Sequence, residues 1–208
     1  MECGKIPKRH ELPPTHHLYG TFRHGWHQSS CTKHPTVTYR HDKWLHVLKD
    51  GMRRHTNTPG YSGQYLNRDY ATRKSTDLLL IREGEEWPFA LDYTCGCAHL
   101  QEHKAAALVG LLSMFEEQVR KKDKKHAHYC YKSRRIFMAV PANTQGSFGT
   151  ERFWNFWDAQ WARAILADQI AGGTGMELGM HKQLLLAALH AVQVTHTTTH
   201  IISLNEDR

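Results

Sequence analysis

Apolar positions along this chain fall into regular registers only in its later four-fifths or so. From Tyr39 onward, Trp44, Leu45, Leu48 and Met52 recur at the three- and four-residue spacing of a helix face, and Asp50-Gly51 weakens the pattern. Residues 54–72, which include Thr58-Pro59-Gly60 and Ser62-Gly63, read as loop or irregular strand. Two short strands follow over 77–81 and 89–94, on either side of the turn-like Glu83-Gly84-Glu85-Glu86. A two-residue loop at Gly84-Glu85 would set Asp77 directly opposite Asp92, with Cβ atoms about 4.5–5.5 Å apart. Pro88 would then occupy a hydrogen-bonding position without a donor, so a bulge or wider loop near Trp87-Pro88 is expected.

A long helix is expected over 99–120, where Leu100, Ala107, Leu108, Leu111 and Phe115 form one apolar stripe. Lys104 falls near the centre of that stripe, either snorkelling or held for a purpose. The run Lys121 to Lys125 reads as a basic, solvated stretch. Arg134-Arg135 lead into a buried strand over 136–140, stopped by Pro141, and a polar loop containing Gly146 and Gly149 follows. Trp154, Trp157, Trp161 and Ile165 mark one face of a helix that packs on the sheet and ends at Gly172-Gly173. Leu184, Leu185, Ala188, Leu189 and Val192 mark another over 176–194; the Thr-rich residues 195–208 are left unassigned. The order helix, hairpin, helix, strand, helix, helix describes an α/β layered domain over residues 39–208. Residues 1–38, rich in His, Pro and Cys without sustained apolar period, form an appendage or arm ahead of it.

Composition narrows the classes. With 208 residues, 40% hydrophobic and 23% charged, the chain is globular in character. Its apolar runs, such as 78–81 and 184–189, fall far short of the roughly 18 residues that span a bilayer. The polar start has no apolar signal-peptide core, so neither membrane insertion nor secretion is expected. Lys and Arg total 27 against 20 Asp and Glu, a net +7 before 17 histidines are counted. That surplus suits a polyanionic partner, nucleic acid first, against the plainer alternative of a basic protein with no such role. Five irregularly spaced cysteines indicate a reducing compartment and no disulfide framework.

The chemistry concentrates on Asp77 and Asp92. Two acids on neighbouring strands can share a hard divalent cation such as Mg²⁺ or Mn²⁺, which takes oxygen ligands and keeps waters. Such an ion polarises a phosphoryl oxygen and activates water, and an ammonium such as that of Lys104 can orient the water or stabilise the phosphorane. A backbone carbonyl near Tyr93 is a candidate third ligand. The alternative is that both acids merely end strands on a polar rim.

The succession Arg40-His41-Asp42, Arg73-Lys-Ser-Thr-Asp77 and Ala90-Leu-Asp92-Tyr-Thr94 resembles the restriction-like endonuclease domain of site-specific non-LTR retrotransposons, within the PD-(D/E)xK nuclease superfamily. Val140-Pro141, Thr144-Gln-Gly146 and the helix with Phe153, Trp154 and Trp157 extend the resemblance over residues 36–170. It implies a restriction-endonuclease-like mixed sheet flanked by helices. Asp77 and Asp92 would be the metal-binding carboxylates, Lys104 the catalytic lysine displaced onto the following helix, Asp42 an accessory acid, and Arg73, beside Lys74, a phosphate contact. Thr76 stands where the family has proline, and Thr94 where the superfamily's usual strand lysine would stand. The interval from Asp92 to Lys104 is shorter than the family pattern.

The resemblance further implies nicking of duplex DNA in the nucleus, with the released 3′-OH priming reverse transcription. A reverse transcriptase domain or other chain, and RNA, are implied partners. No Tyr/Phe-x-Asp-Asp polymerase signature occurs, so the chain is expected to be an excised piece or a standalone relative. Arg53, Arg54, Arg134, Arg135 and the run Lys121 to Lys125 would line a DNA groove, or else are ordinary solvated charges. Cys3, His17, His27 and Cys31 are candidate Zn²⁺ ligands of a degenerate knuckle, with a flexible His-rich arm as the alternative. Cys95-Gly-Cys97-Ala-His99 lacks a partner half-site and reads as incidental thiols. The competing functional class is a non-catalytic nucleic-acid-binding module, zinc-stabilised or an inactivated nuclease fold, in a larger assembly.

Overall fold

The computed structural model describes residues 35–62, 76–81, 84–96, 106, 108–144 and 146–206. Among these, four long helices and a four-stranded mixed sheet form an α/β layered structure. In chain order the elements are α1 (Pro35–Thr56), β1 (Gly60–Ser62), β2 (Leu78–Leu80), β3 (Phe89–Gly96), α2 (Leu111–Lys132), β4 (Ile136–Asn143), α3 (Glu151–Ile170) and α4 (Met176–Glu206). The sheet order is β1-β2-β3-β4. The first two pairings are antiparallel, while β3 and β4 run parallel, joined by α2 as the crossover.

Period-two alternation sends the two faces of the sheet to different helices. Leu78, Leu80, Leu91, Tyr93, Met138 and Val140 face α1, α3 and α4, where they meet Trp44, Leu48, Met52, Phe153, Trp157, Trp161 and Leu189 in the larger core. Leu79, Ala90, Phe137 and Ala139 face α2 in a smaller core with Cys130. Asp92 shares strand parity with Ala90 and pairs with Ala139, so its side chain lies on the α2 face. The expected Trp stripe packs on the sheet, with Trp157 and Trp161 buried. Trp44 stacks on Tyr93 with ring centroids 4.5 Å apart, tying α1 to the middle of β3.

The hairpin register agrees with expectation: Leu78 pairs Leu91, Leu79 pairs Ala90 and Leu80 pairs Phe89. Pairing stops there, and the connection is a wide loop over residues 81–88. Pro88 does not occupy the expected hydrogen-bonding position opposite β2: its carbonyl accepts from Ile136 N–H of β4 at 2.9 Å, so its nitrogen also faces β4, and Ile81 N–H turns to the Pro59 carbonyl.

Other boundaries differ from the sequence reading. Helix α1 begins at Pro35, ahead of Tyr39, and continues through Asp50-Gly51 to Thr56. Gly51 is a close-approach residue: a Cβ there would collide with the Leu185 side chain of α4. A short edge strand, β1, lies in the segment read as loop or irregular strand. Pro141 does not stop β4, which runs on to Asn143. The N and C=O of a residue in a parallel strand leave on the same side. The Pro141 carbonyl accepts from Gly149 N–H at 2.8 Å, away from β3, so its absent N–H costs the ladder nothing. The Thr-rich segment is helical to Glu206.

The largest displacement concerns the helix expected over 99–120. Ala106, Leu108 and Val109 have helical backbone, but Gly110 at φ 152° interrupts it and α2 starts at Leu111. Leu108 and Leu111, placed on the apolar stripe, are exposed, whereas Phe115 is buried. The helix then runs through Lys121 to Lys125, because lysine is a good helix former and one side of the run still faces the sheet. Neither Cys95 nor Cys130 is in a disulfide.

Gly51→Val is expected to destabilise the fold by about 1–3 kcal/mol through overpacking between α1 and α4. Urea unfolding midpoints of the two proteins measure this; an unchanged midpoint would contradict the close helix contact.

Candidate active site: a carboxylate pair at the end of β2

Strand β3 has eight residues and β2 only three, so β3 projects past the start of β2, and among the described residues no strand pairs with that part of its edge. Two side chains from the segment entering β2 bind this stretch of β3, and one of them takes over a ladder bond past the end of β2. The Thr76 hydroxyl donates to the Leu91 carbonyl at 2.7 Å, and the Asp77 carboxylate accepts from Tyr93 N–H at 2.8 Å. A proline at position 76 could not make the first contact. Asp77 is thereby drawn to the edge of β3, beside Asp92.

Asp92 is buried in the middle of the sheet, and both of its oxygens are engaged by α2. Lys122 Nζ donates to Oδ1 at 2.6 Å, and His126 Nε2 lies 3.1 Å from Oδ2. Lys122 and His126 stand four residues apart, one helical turn, and so project to the same carboxylate. Asp77 Oδ2 meets His41 Nε2 of α1 at 3.2 Å, and His41 Nδ1 lies 2.9 Å from Asp42 Oδ1. The pair thus sits between α1 and α2. On the α1 side a cleft of about 440 Å³, lined by His41, Leu45, Lys49, Ser62, Thr76 and Asp77, opens onto Asp77.

Electrostatics divide the two acids. Burial raises the Asp92 pKa; the Lys122 charge opposes that, and the Asp77 carboxylate, within hydrogen-bonding reach, raises it further. Burial also works against the Asp77 anion, but the hydrogen bond and charge of His41, the Tyr93 N–H and Lys122 outweigh it and leave its pKa lowered. For His41, burial disfavours the imidazolium, while hydrogen bonds and charge from Asp77 and Asp42 raise its pKa overall. Of the two, Asp77 is therefore the stronger acid and Asp92 the weaker.

Of the residues singled out from sequence, the fold brings together Asp77, Asp92 and Tyr93, and links Asp42 to them through His41. The remaining ones divide. Arg53 and Arg54 lie at the far end of α1, about 18 Å from His41 at 1.5 Å per residue. Arg134 and Arg135 follow the far end of α2, beyond a helical run of about 15 Å from Lys122. Neither pair adjoins the carboxylates, because each lies toward the other end of its helix. Lys104, Arg73, Lys74, Cys3, His17, His27, Cys31 and the Cys97-Ala-His99 half-site lie outside the described residues.

Sequence reasoning missed Lys122 and His126. The signal was present: Phe115, Gln118, Lys122, His126 and Cys130 continue one helical stripe, and all but Lys122 are buried. Ending the helix at Arg120 hid that continuity. Among the described residues, no group of three or more His, Cys, Asp and Glu side chains forms a metal-ligand cluster, and no helix is long and apolar enough to cross a membrane. Comparison with protein-family models, curated proteins and solved structures finds no match for the chain.

The signs of these shifts define a pH window. The His41 contribution is fully present below its ordinary value of 6.5 and is lost as pH rises through the raised folded value. The Asp77 contribution is present above 3.8 and is lost as pH falls through the lowered folded value. Urea midpoints measured across pH should decline on the alkaline side of 6.5 in the native chain, and His41→Gln should remove that arm. An identical alkaline slope in both proteins would contradict the assignment.

Proposed function

We propose that this chain is a divalent-metal-dependent DNA endonuclease that nicks duplex DNA. The observation that carries the reading is the meeting of Asp77 and Asp92 at the edge of β3, with the Lys122 ammonium on Asp92. The mixed sheet flanked by helices supports the restriction-like resemblance, and the +7 net charge suits a polyanionic substrate.

The residues fit a hard divalent cation. Asp77 and Asp92 crowd two carboxylates together, with the Asp92 proton affinity raised in part by Asp77, a strain that a shared cation relieves. Mg²⁺ is commonly held by one or two carboxylates with water completing its shell, so a third acidic or histidine ligand is not required. The N–H and C=O of a strand residue leave on the same edge, and Tyr93 N–H points to Asp77. The Tyr93 carbonyl accordingly belongs to the same edge and serves as a further oxygen donor. When bound, Mg²⁺ or Mn²⁺ supplies polarisation of the phosphoryl oxygen and a lowered pKa for water.

The chain's own groups do the rest. Water attacks phosphorus in line, the P–O bond to the 3′ oxygen breaks, and that oxygen leaves with a proton as the 3′-OH. Lys122, anchored by Asp92, presents its ammonium to the charge that accumulates on the phosphorane. We assign to Lys122 the role that the resemblance gave to Lys104. Asp42 acts through His41, which holds Asp77. The 3′-OH would serve target-primed reverse transcription by a partner reverse transcriptase.

A second reading, a non-catalytic nucleic-acid-binding module, is favoured by one observation: Lys122 and His126 close both Asp92 oxygens into a buried ion pair. One assay separates the two. Supercoiled plasmid incubated with Mg²⁺ or Mn²⁺ should yield open-circle product with the native chain, and none above background with Asp77→Ala or Asp92→Ala. Lys122→Met should lower the nicking rate by about 10²–10³-fold, the scale for loss of one transition-state donor. Plasmid binding should persist in all three variants. Metal-dependent nicking that survives in both Asp variants would sink the reading, and retained binding without nicking by the native chain would favour the module.

A further inference from the structure

The Asp92 carboxylate is not held by Lys122 alone. His126 approaches the opposite oxygen, Oδ2, at 3.1 Å, and is itself buried on α2 one turn beyond Lys122. Its ring packs against Phe137 of β4, with centroids 5.6 Å apart, so the imidazole is confined between the sheet and its own helix. Phe137 belongs to the smaller core that faces α2, together with Ala90 and Ala139, the strand neighbours of Asp92. Lys122 is half-buried and reaches Asp92 along a flexible stem, whereas His126 has two side-chain torsions and a packed ring. The packed ring is thus held beside Oδ2, while the Lys122 ammonium meets Oδ1 at the end of a flexible stem.

We propose that His126 is the positioning residue of Asp92: it fixes the carboxylate through Oδ2 so that Oδ1 is presented to a bound cation. This rests on the reading of Asp77 and Asp92 as a divalent-cation site. Outer-shell partners of ligating groups commonly matter this much, and their loss lowers metal affinity or activity by about 10–100-fold.

The test is Mn²⁺ binding by the full chain, with free Mn²⁺ measured by electron paramagnetic resonance and folding followed by circular dichroism. Four variants are compared with the native protein. His126→Gln carries an amide nitrogen at the reach of Nε2 and should keep most of the native affinity. His126→Asn is polar but too short to reach Oδ2, and should weaken Mn²⁺ binding by about 10-fold or more. His126→Leu should weaken it at least as much, and Asp92→Asn should abolish it. The rescue by Gln but not Asn is what a merely structural role would not produce. Native affinity in a folded His126→Asn protein, or equal weakening by Gln and Asn, would overturn the positioning role while leaving the cation site standing. Absence of Mn²⁺ binding by the native chain would instead overturn the cation site, and the positioning role with it.

Discussion

The unequal lengths of β2 and β3 are the constraint on which the rest of the site depends. An antiparallel strand that begins late leaves its neighbour with unpaired N–H and C=O groups, and buried backbone groups without partners are costly, on the order of 1–3 kcal/mol each. Here the segment entering β2 resolves this with the Asp77 carboxylate on the Tyr93 N–H, while the Thr76 hydroxyl adds a bond to the Leu91 carbonyl. A carboxylate used in this way must lie against the strand edge. That places it next to Asp92, whose own backbone pairs with Ala139 on the other side. The two acids are brought close by backbone satisfaction, not by mutual attraction, which explains how a repulsive pair persists in a folded core.

Three cationic or ionisable donors offset that repulsion, and they arrive from opposite faces of the sheet. Helix α2 brings Lys122 and His126 to Asp92, while α1 brings His41 to Asp77. The placement of α1 in turn rests on the Trp44–Tyr93 stack and on the close approach of α1 to α4 at Gly51. Tyr93 links these layers. Its N–H holds Asp77, its ring carries Trp44, and its buried hydroxyl accepts from Gln193 of α4 at 2.6 Å. A disturbance of the larger core is thereby felt at the carboxylates through a single residue.

Much of this was legible before any coordinates. The hairpin register followed from the turn at Gly84-Glu85, whereas the Pro88 nitrogen faces β4 and not β2, an edge that local spacing does not reveal. The α1 face, the Trp-bearing α3 and the α/β layering followed from spacing alone. What failed shares a common cause. Gly110 sits inside an apolar run whose spacing hides the break, and the lysine-rich run after Arg120 reads as a basic, solvated stretch. Composition says how polar a segment is, not which of its residues face inward, and on α2 the inward ones at that point are a lysine and a histidine. Pro141 was misjudged for a related reason: whether a proline breaks a strand depends on which edge its nitrogen faces.

The sequence by itself determined most of the elements and the register that sets Asp77, at the entry to β2, near Asp92 on β3, because periodicity and the register of a hairpin are local properties. It also determined a basic chain suited to a polyanion. Only the tertiary structure decided which cations meet those acids. Lys122 and His126 lie on the crossover helix, and their contact with Asp92 depends on how that helix docks across the parallel β3–β4 pair. The docking is set by the packing of Cys130 and Val119 against Phe137 and Ala139, interactions between residues far apart in the chain that no local pattern encodes.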